Sequence, residues 1–291
     1  MTDAPAILVV GGDSLVGGVV AATARARGDR VLETSRRTGR IAEGALPLDL
    51  AADPASWPAL PPLKGAVLCA AIARLQDCER DPVASRRVNV EGAAALARHL
   101  VALAVPTVFL SSDKEFDGRR PRRRRQDPTC PATEYGRQKA AAEAAMPAQV
   151  AILRLSKVVS PTLQLFQDWT RELAAGRPIT PFSDLMMAPI PVELVAQTVL
   201  RLIDERQAGL FHLTGARDVD YVEAARVLAA TLGSDPTLIQ PRASNTGSPP
   251  APHTTLDMSV EQGLWDLAPP EPEAVLRQLA LALAAQLARP G

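Results

Sequence analysis

Two of the rarest side-chain types in this chain stand four positions apart. The segment Tyr135-Gly136-Arg137-Gln138-Lys139 holds one of only two tyrosines and one of four lysines. At that spacing the two side chains share one face of a helix. A free phenol, with a pKa of about 10, is a poor acid or base at neutral pH. A neighbouring ammonium stabilises the phenolate and draws that pKa towards the working range. The pair is therefore a candidate for proton transfer, with Tyr135 carrying the proton and Lys139 tuning it. Upstream, Ser111-Ser112-Asp113 closes an apolar run. A hydroxyl at that point can hold a carbonyl oxygen on which negative charge develops. Ser112 is assigned this role, and Ser111 is the better candidate for a turn cap.

A second group of residues could hold a nucleotide. Gly11-Gly12-Asp13-Ser14-Leu15-Val16-Gly17 follows an apolar run and opens a helical pattern. Glycines in such a turn let backbone N–H groups approach a pyrophosphate at the positive end of the helix. Ser14 occupies the place of the middle glycine in the usual Gly-x-x-Gly-x-x-Gly spacing. It either crowds the nucleotide or offers its hydroxyl to a phosphate. Further on, Ser35-Arg36-Arg37 has no acid beside it. An acid there would bind a ribose 2′-hydroxyl, whereas arginine makes charge-assisted contacts to a 2′-phosphate. NADP(H) is favoured, with NAD(H) as the alternative.

These groups need elements that bring a turn, two strand ends and a helix together. Ala6–Val10 reads as a strand buried on both faces, Leu15–Ala26 as a helix and residues 30–34 as the next strand. Residues 66–70 and 107–110 are further strands, separated by a helix over 82–103. Residues 135–146 are helical and 150–155 form another strand. Strands alternating with helices imply right-handed crossovers and a parallel sheet. The expected architecture is α/β, a Rossmann-type doubly wound parallel sheet with ligands at the carboxyl ends of its strands. Residues 1–160, with a return segment at about 190–215, are read as an NADP-binding domain. Residues 161–189 and 216–291 are read as a smaller C-terminal substrate-binding domain. Across the second half of the chain the pattern gives helices over 192–202, Tyr221–Leu232 and Pro272–Leu287, a strand over 210–213 and a long loop over 236–252.

Bulk properties narrow the remaining classes. Lys+Arg and Asp+Glu both number 32, so nothing global attracts nucleic acid or an anionic membrane. No stretch approaches the roughly 20 apolar residues of a membrane span, and no basic leader precedes the first strand. The expected location is cytoplasmic. Cys69, Cys78 and Cys130 have neither metal-ligand spacing nor the regularity of a disulfide framework, and no metal site is expected. His99, His212 and His253 show no metal or triad spacing. Arg119-Arg120-Pro121-Arg122-Arg123-Arg124-Arg125 is either a solvated basic loop or a device for capturing an anionic substrate.

Taken together, these residues resemble the extended short-chain dehydrogenase/reductases, and within them the dTDP-4-dehydrorhamnose reductase family. The likeness runs through the Gly11–Gly17 turn, Leu48-Asp49-Leu50, Ala70-Ala71, Arg87-Val88-Asn89-Val90-Glu91-Gly92, the segments 111–118 and 131–139, Leu153-Arg154-Leu155-Ser156, Phe211-His212-Leu213-Thr214-Gly215 and Leu256-Asp257-Met258-Ser259. The resemblance implies that Ser112 orients a carbonyl, Tyr135 donates a proton, and Lys139 holds the nicotinamide ribose. It also implies that Gly11, Ser14 and Gly17, with Leu15 and Val16 in the same turn, face the pyrophosphate. Asp49 with Leu50 would lie near the adenine, and Ala70 and Ala71 would line the cofactor. Asn89 would orient the site indirectly. Three departures stand out. The arginine usual before the C-terminal Leu-Asp motif is missing from Pro250-Ala251-Pro252-His253, residues 184–191 are more apolar than usual, and Lys114 replaces an aromatic residue.

The resulting expectation is an NADPH-dependent reductase of a keto-sugar or 4-keto nucleotide-sugar, with a small sugar-derived carbonyl compound as its partner. The alternatives are a nucleotide-sugar epimerase or dehydratase, and a non-catalytic NADP-binding regulatory subunit like that of methionine adenosyltransferase. The Ala-rich faces near 85–103 and 135–146 suit either a homodimer interface or packing against the sheet.

Overall fold

The computed structural model describes residues 4–244 and 251–288. It divides into two compact units. The first comprises Met1–Phe116, Pro128–Leu155 and Val192–Phe211; the second comprises Asp117–Asp127, Ser156–Pro191 and His212–Gly291.

The first unit is built on a sheet of β1 (Ala6–Val10), β2 (Val31–Ser35), β3 (Leu46–Pro47), β4 (Leu63–Leu68), β5 (Thr107–Ser112) and β6 (Ala151–Leu155). The spatial order is β3-β2-β1-β4-β5-β6, all parallel, and Gly209–Leu213 forms the seventh strand beside β6. All five residues of β1 are buried, as a central strand covered on both faces requires. Helix α1 (Leu15–Ala26) packs with helix Val192–Asp204. Opposite charges close their ends, with Arg27 Nη1 2.7 Å and Lys64 Nζ 3.1 Å from Asp204.

A separate apolar cluster joins Leu8, Leu68 and Phe109 of the sheet to Leu96 and Leu100 of helix Ala93–Ala102. Each such buried side chain contributes roughly 2 kcal/mol of transfer free energy. Ala93, Ala97 and Ala142 belong to this same core. The small size of these three lets backbone approach backbone inside the unit. The single helix expected over 82–103 is three consecutive pieces, Pro82–Arg86, a π-helical stretch Arg87–Gly92, and Ala93–Ala102. The chain order reverses between β1 and β4, which opens a crevice at the carboxyl ends of these strands.

The second unit packs helices Gln164–Ala174, Tyr221–Leu232 and Pro272–Leu287 around Phe166, Trp169, Leu228 and Leu276. Trp169 meets Phe166 and Tyr221 edge to face, at centroid separations of 5.7 and 6.3 Å. The arginine-rich segment, expected within residues 1–160, clusters here instead. Arg123 N donates to Thr255 O at 3.3 Å, and Asp257 N to Arg123 O at 2.9 Å. Arg123 is buried beside Asp117 and Asp127, and Arg125 pairs with the fully buried Glu261. Arg119, Arg120, Arg122 and Arg124 remain exposed.

The loop expected over 236–252 holds one 3₁₀ turn at Pro236–Leu238 and two bridges, Ile179 with Ile239 and Phe182 with Arg242; its stretch 245–250 lies outside the described residues. Among the described residues no helix is long and apolar enough to cross a membrane, and no group of side chains could hold a metal ion.

Candidate active site

The glycine turn is shaped by close backbone approaches. Gly11 has φ +84°, and a Cβ there would meet Ala70 at 2.9 Å. A side chain at Gly17 would overlap the Gly11 carbonyl. At both positions the turn admits only glycine. Ser14 is the N-cap of α1, its Oγ accepting from Gly17 N at 3.1 Å. The serine in the middle-glycine position thus satisfies an N–H that the helix leaves unpaired, a cap typically worth about 1 kcal/mol. Leu15 and Val16 form the first turn behind it.

Beside this turn lies a cleft of about 330 Å³. Of the residues expected to bind cofactor, Gly11, Ser14, Ser35, Arg36, Arg37, Asp49, Leu50, Ala70 and Ala71 line it. Asp13, Thr34, Ile72 and Val88 also line it, and sequence reasoning had not selected them. Thr34 Oγ1 accepts from Gly11 N at 3.1 Å and so fixes the turn to β2. Arg37 Nε lies 3.0 Å from Asp13 Oδ2, and Arg36 Nη1 lies 3.8 Å from Asp49 Oδ1. Both guanidinium groups are mostly exposed. The chemistry fits a nucleotide: donors at a helix N-terminus for a pyrophosphate, apolar walls for a base, and two arginines at the cleft edge.

Asn89 does not line the cleft. It is buried, with Oδ1 accepting from Ile72 N at 2.8 Å and Nδ2 donating to Ile72 O at 2.9 Å and Gln138 Oε1 at 2.8 Å. Its amide ties a wall of the cleft to the residue next to Lys139, which is an orienting role.

The residues expected to carry proton transfer meet at the end of β5. Ser112 is its last residue, and Tyr135 and Lys139 lie on helix Glu134–Ala145, capped by Thr133. Lys139 Nζ donates to Leu110 O at 2.7 Å, sits 4.5 Å from the Phe109 ring centroid and 5.8 Å from that of Tyr135. Burial pulls its pKa down to about 8. Ser112 Oγ donates to Asp113 Oδ1 at 3.1 Å, and Lys114 Nζ pairs with Asp113 Oδ2 at 2.9 Å.

The Tyr135 phenol is pushed upward, first by burial and then by the Asp113 carboxylate, while the Ser112 hydroxyl favours the phenolate. This differs from the downward pull expected from Lys139. In this form the ammonium is spent on the Leu110 carbonyl, and burial dominates. A phenol that keeps its proton is in the correct state to donate one.

Underneath lies an ionic cluster with no counterpart in the sequence reading. Glu115, Glu143 and Arg154 are buried together, with Arg154 Nη2 2.8 Å from Glu115 Oε2 and 2.7 Å from Glu143 Oε2. Only the Glu143 spacing, four residues beyond Lys139 on the same helical face, could have signalled it.

The profile of the family described as RmlD substrate binding domain matches residues 5–264. The chain belongs to this family. A probable low-salt glycan biosynthesis reductase, Agl14, of Haloferax volcanii is 31% identical over 182 residues, covering 59% of this chain and 61% of that protein. A dTDP-4-dehydrorhamnose reductase of Streptomyces griseus is 27% identical over 307 residues, covering 98% and 96%. The chain thus spans about three-fifths of the first curated relatives it matches. Among solved structures, the dTDP-4-dehydrorhamnose reductase of Yersinia enterocolitica superposes with a TM-score of 0.81 at 18% identity, covering 96% of this chain and 99% of that one. The Rossmann-type sheet and its crevice are therefore the RmlD-family fold.

Proposed function

We propose that this RmlD-family member is an NADPH-dependent reductase of a 4-keto nucleotide-sugar or a related keto-sugar, acting in the cytoplasm. The observation that carries the reading is the meeting of Ser112, Tyr135 and Lys139 at one strand end, in the same unit as a nucleotide-sized cleft edged by Arg36 and Arg37. The names of the related reductases point to the same substrate class.

Gly11, Ser14, Gly17 and the first turn of α1 would hold the pyrophosphate, and Arg36 and Arg37 a 2′-phosphate. When bound, the nicotinamide cofactor supplies the hydride. Ser112 releases its hydrogen bond to Asp113 and donates to the substrate carbonyl oxygen. Tyr135 gives its phenolic proton to that oxygen as negative charge develops there. The buried Lys139 ammonium then stabilises the phenolate left behind, and a proton from solvent restores Tyr135.

The test is a purified-protein assay with NADPH and dTDP-4-dehydrorhamnose, followed by a panel of other 4-keto sugars. Turnover that Tyr135→Phe abolishes supports the mechanism. Turnover that survives Tyr135→Phe would exclude Tyr135 as the proton donor. Tight NADPH binding without turnover on any carbonyl would favour a non-catalytic role.

A further inference from the structure

Glu115 is completely buried, and three neighbouring elements meet it there. Ser111 Oγ, in β5, donates to Glu115 Oε1. Arg154, in β6 and paired in register with Ser111, reaches it through Nη2. Glu143, on the helix of Tyr135 and Lys139, meets the same Arg154 Nη2. The one guanidinium thus serves two carboxyl groups, making further bonds of 2.9 and 2.7 Å to Glu143 from Nε and Nη2. Two ionised carboxyl groups buried against one guanidinium nitrogen repel each other and lose their water, which favours keeping a proton on one of them. One carboxyl therefore keeps its proton. Burial, reinforced by the Glu143 carboxylate, pushes Glu115 well above the usual carboxyl range, while Glu143, against its own burial, is held low by Glu115 and the Arg154 pair.

The placement gives this cluster a consequence for the site. Tyr135, Lys139 and Glu143 follow at intervals of four, so they lie on one face of their helix. Ser111 immediately precedes Ser112. We infer that Glu115 is a positioning residue: by donating its carboxylic hydrogen to Glu143 it fastens the helix of Tyr135 and Lys139 to the strand end of Ser112. The other charged group facing this cluster is Lys139, from the helix. The Phe116 ring lies 5.1 Å from the Arg154 guanidinium carbon and covers it. The kinetic part of this inference rests on the reductase reading; the stability part does not.

Two variants separate the possibilities. Glu115→Gln keeps a hydrogen-bond donor for Glu143 and cannot ionise, whereas Glu115→Ala removes the donor. With the keto-sugar substrate, Glu115→Ala should lose at least about tenfold in kcat, a barrier increase of about 1.4 kcal/mol, with KM and NADPH affinity little changed. Glu115→Gln should restore most of that loss. Equal kcat in Ala and wild type would overturn the positioning role.

The second arm needs no substrate and survives failure of the Ala variant to fold. Glu115 has its pKa raised in the folded state, so its contribution is fully present below the unfolded carboxyl value and is lost as pH rises through the folded one. The melting temperature of Glu115→Gln relative to wild type should therefore climb by several degrees from mildly acidic to alkaline buffer. A pH-independent difference would show that Glu115 holds no proton, and would overturn the inference. A wild type that turns over no carbonyl but passes this melting test would count against the reductase reading alone.

Discussion

Replacing Arg36 and Arg37 together by alanine should separate the two nicotinamide cofactors. Arg37 is 74% and Arg36 61% exposed, and each already leans on a carboxylate, Asp13 at 3.0 Å and Asp49 at 3.8 Å. A 2′-phosphate carries about −1.5 to −2 charges at neutral pH, more than either carboxylate. It would draw both guanidinium groups off their present partners. Charge-assisted bonds reach about 1.5–3 kcal/mol where water is excluded, and exposed ion pairs are worth about 0.2–1 kcal/mol. Exchange of one anion for a stronger one at a half-open edge falls between these, at about 1 kcal/mol per arginine. The pair is then worth about 2 kcal/mol, or roughly 30-fold in Kd. Calorimetric titration of the double variant should show this loss for NADPH, and a change within about twofold for NADH, which has no 2′-phosphate. Asp13→Asn removes a competitor for Arg37 and should tighten NADPH binding in the same assay. Raised salt should shrink both effects, because the groups are exposed. Equal losses for the two cofactors, or none, would refute the assignment of these arginines to a 2′-phosphate.

Ser14→Ala should lower stability by about 1 kcal/mol through loss of the α1 cap, a melting shift of roughly 2–4 °C, while NADPH titration still saturates. Abolished NADPH binding would show that the hydroxyl serves phosphate rather than the helix. Lys139→Met should abolish turnover yet raise the melting temperature at neutral pH. Burial pulls this lysine from its ordinary 10.5 down to about 8, so the folded state is penalised for the ammonium below that value, and relieved as pH rises towards the unfolded pKa. A variant melting at or below wild type at neutral pH would contradict this. Arg120 and Arg122 are exposed and have no ion-pair partner among the described residues. If they attract the diphosphate of a nucleotide-sugar, their double alanine variant should raise KM severalfold in low salt, with the difference vanishing in high salt. An unchanged low-salt KM would leave the arginine run as a solvated loop.

What the sequence made legible follows from which interactions are local. The β1–turn–α1 unit is spelled out by an apolar run, glycines and a capping serine within a dozen residues, and it folds as read apart from the role of Ser14. Tyr135 and Lys139 are legible because a helical period alone puts them side by side. The ends of β4 and β5 were placed two residues away from their observed limits, because hydrogen bonding to neighbouring strands, not propensity, decides where a strand stops. The helix Gln164–Ala174 escaped detection although its apolar face is strong, since polar residues surround that face and Leu163 at its N-cap has no side chain that could cap it.

Relations between distant segments were illegible altogether. Nothing in Asp13 or Asp49 announces a carboxylate partner for Arg37 or Arg36, and nothing in Arg123 announces a bridge to Leu256. Glu115 is the sharpest instance. In sequence it is one acid in a polar turn, which ordinarily reads as solvated. In the fold it is fully buried, because β6 brings Arg154 beside it and the helix brings Glu143. The three groups proposed to perform the chemistry are named by local pattern, while the groups that set their protonation are supplied by tertiary structure. A chain could therefore keep Ser112, Tyr135 and Lys139 unchanged and still lose activity through a substitution at Glu115, Glu143 or Arg154.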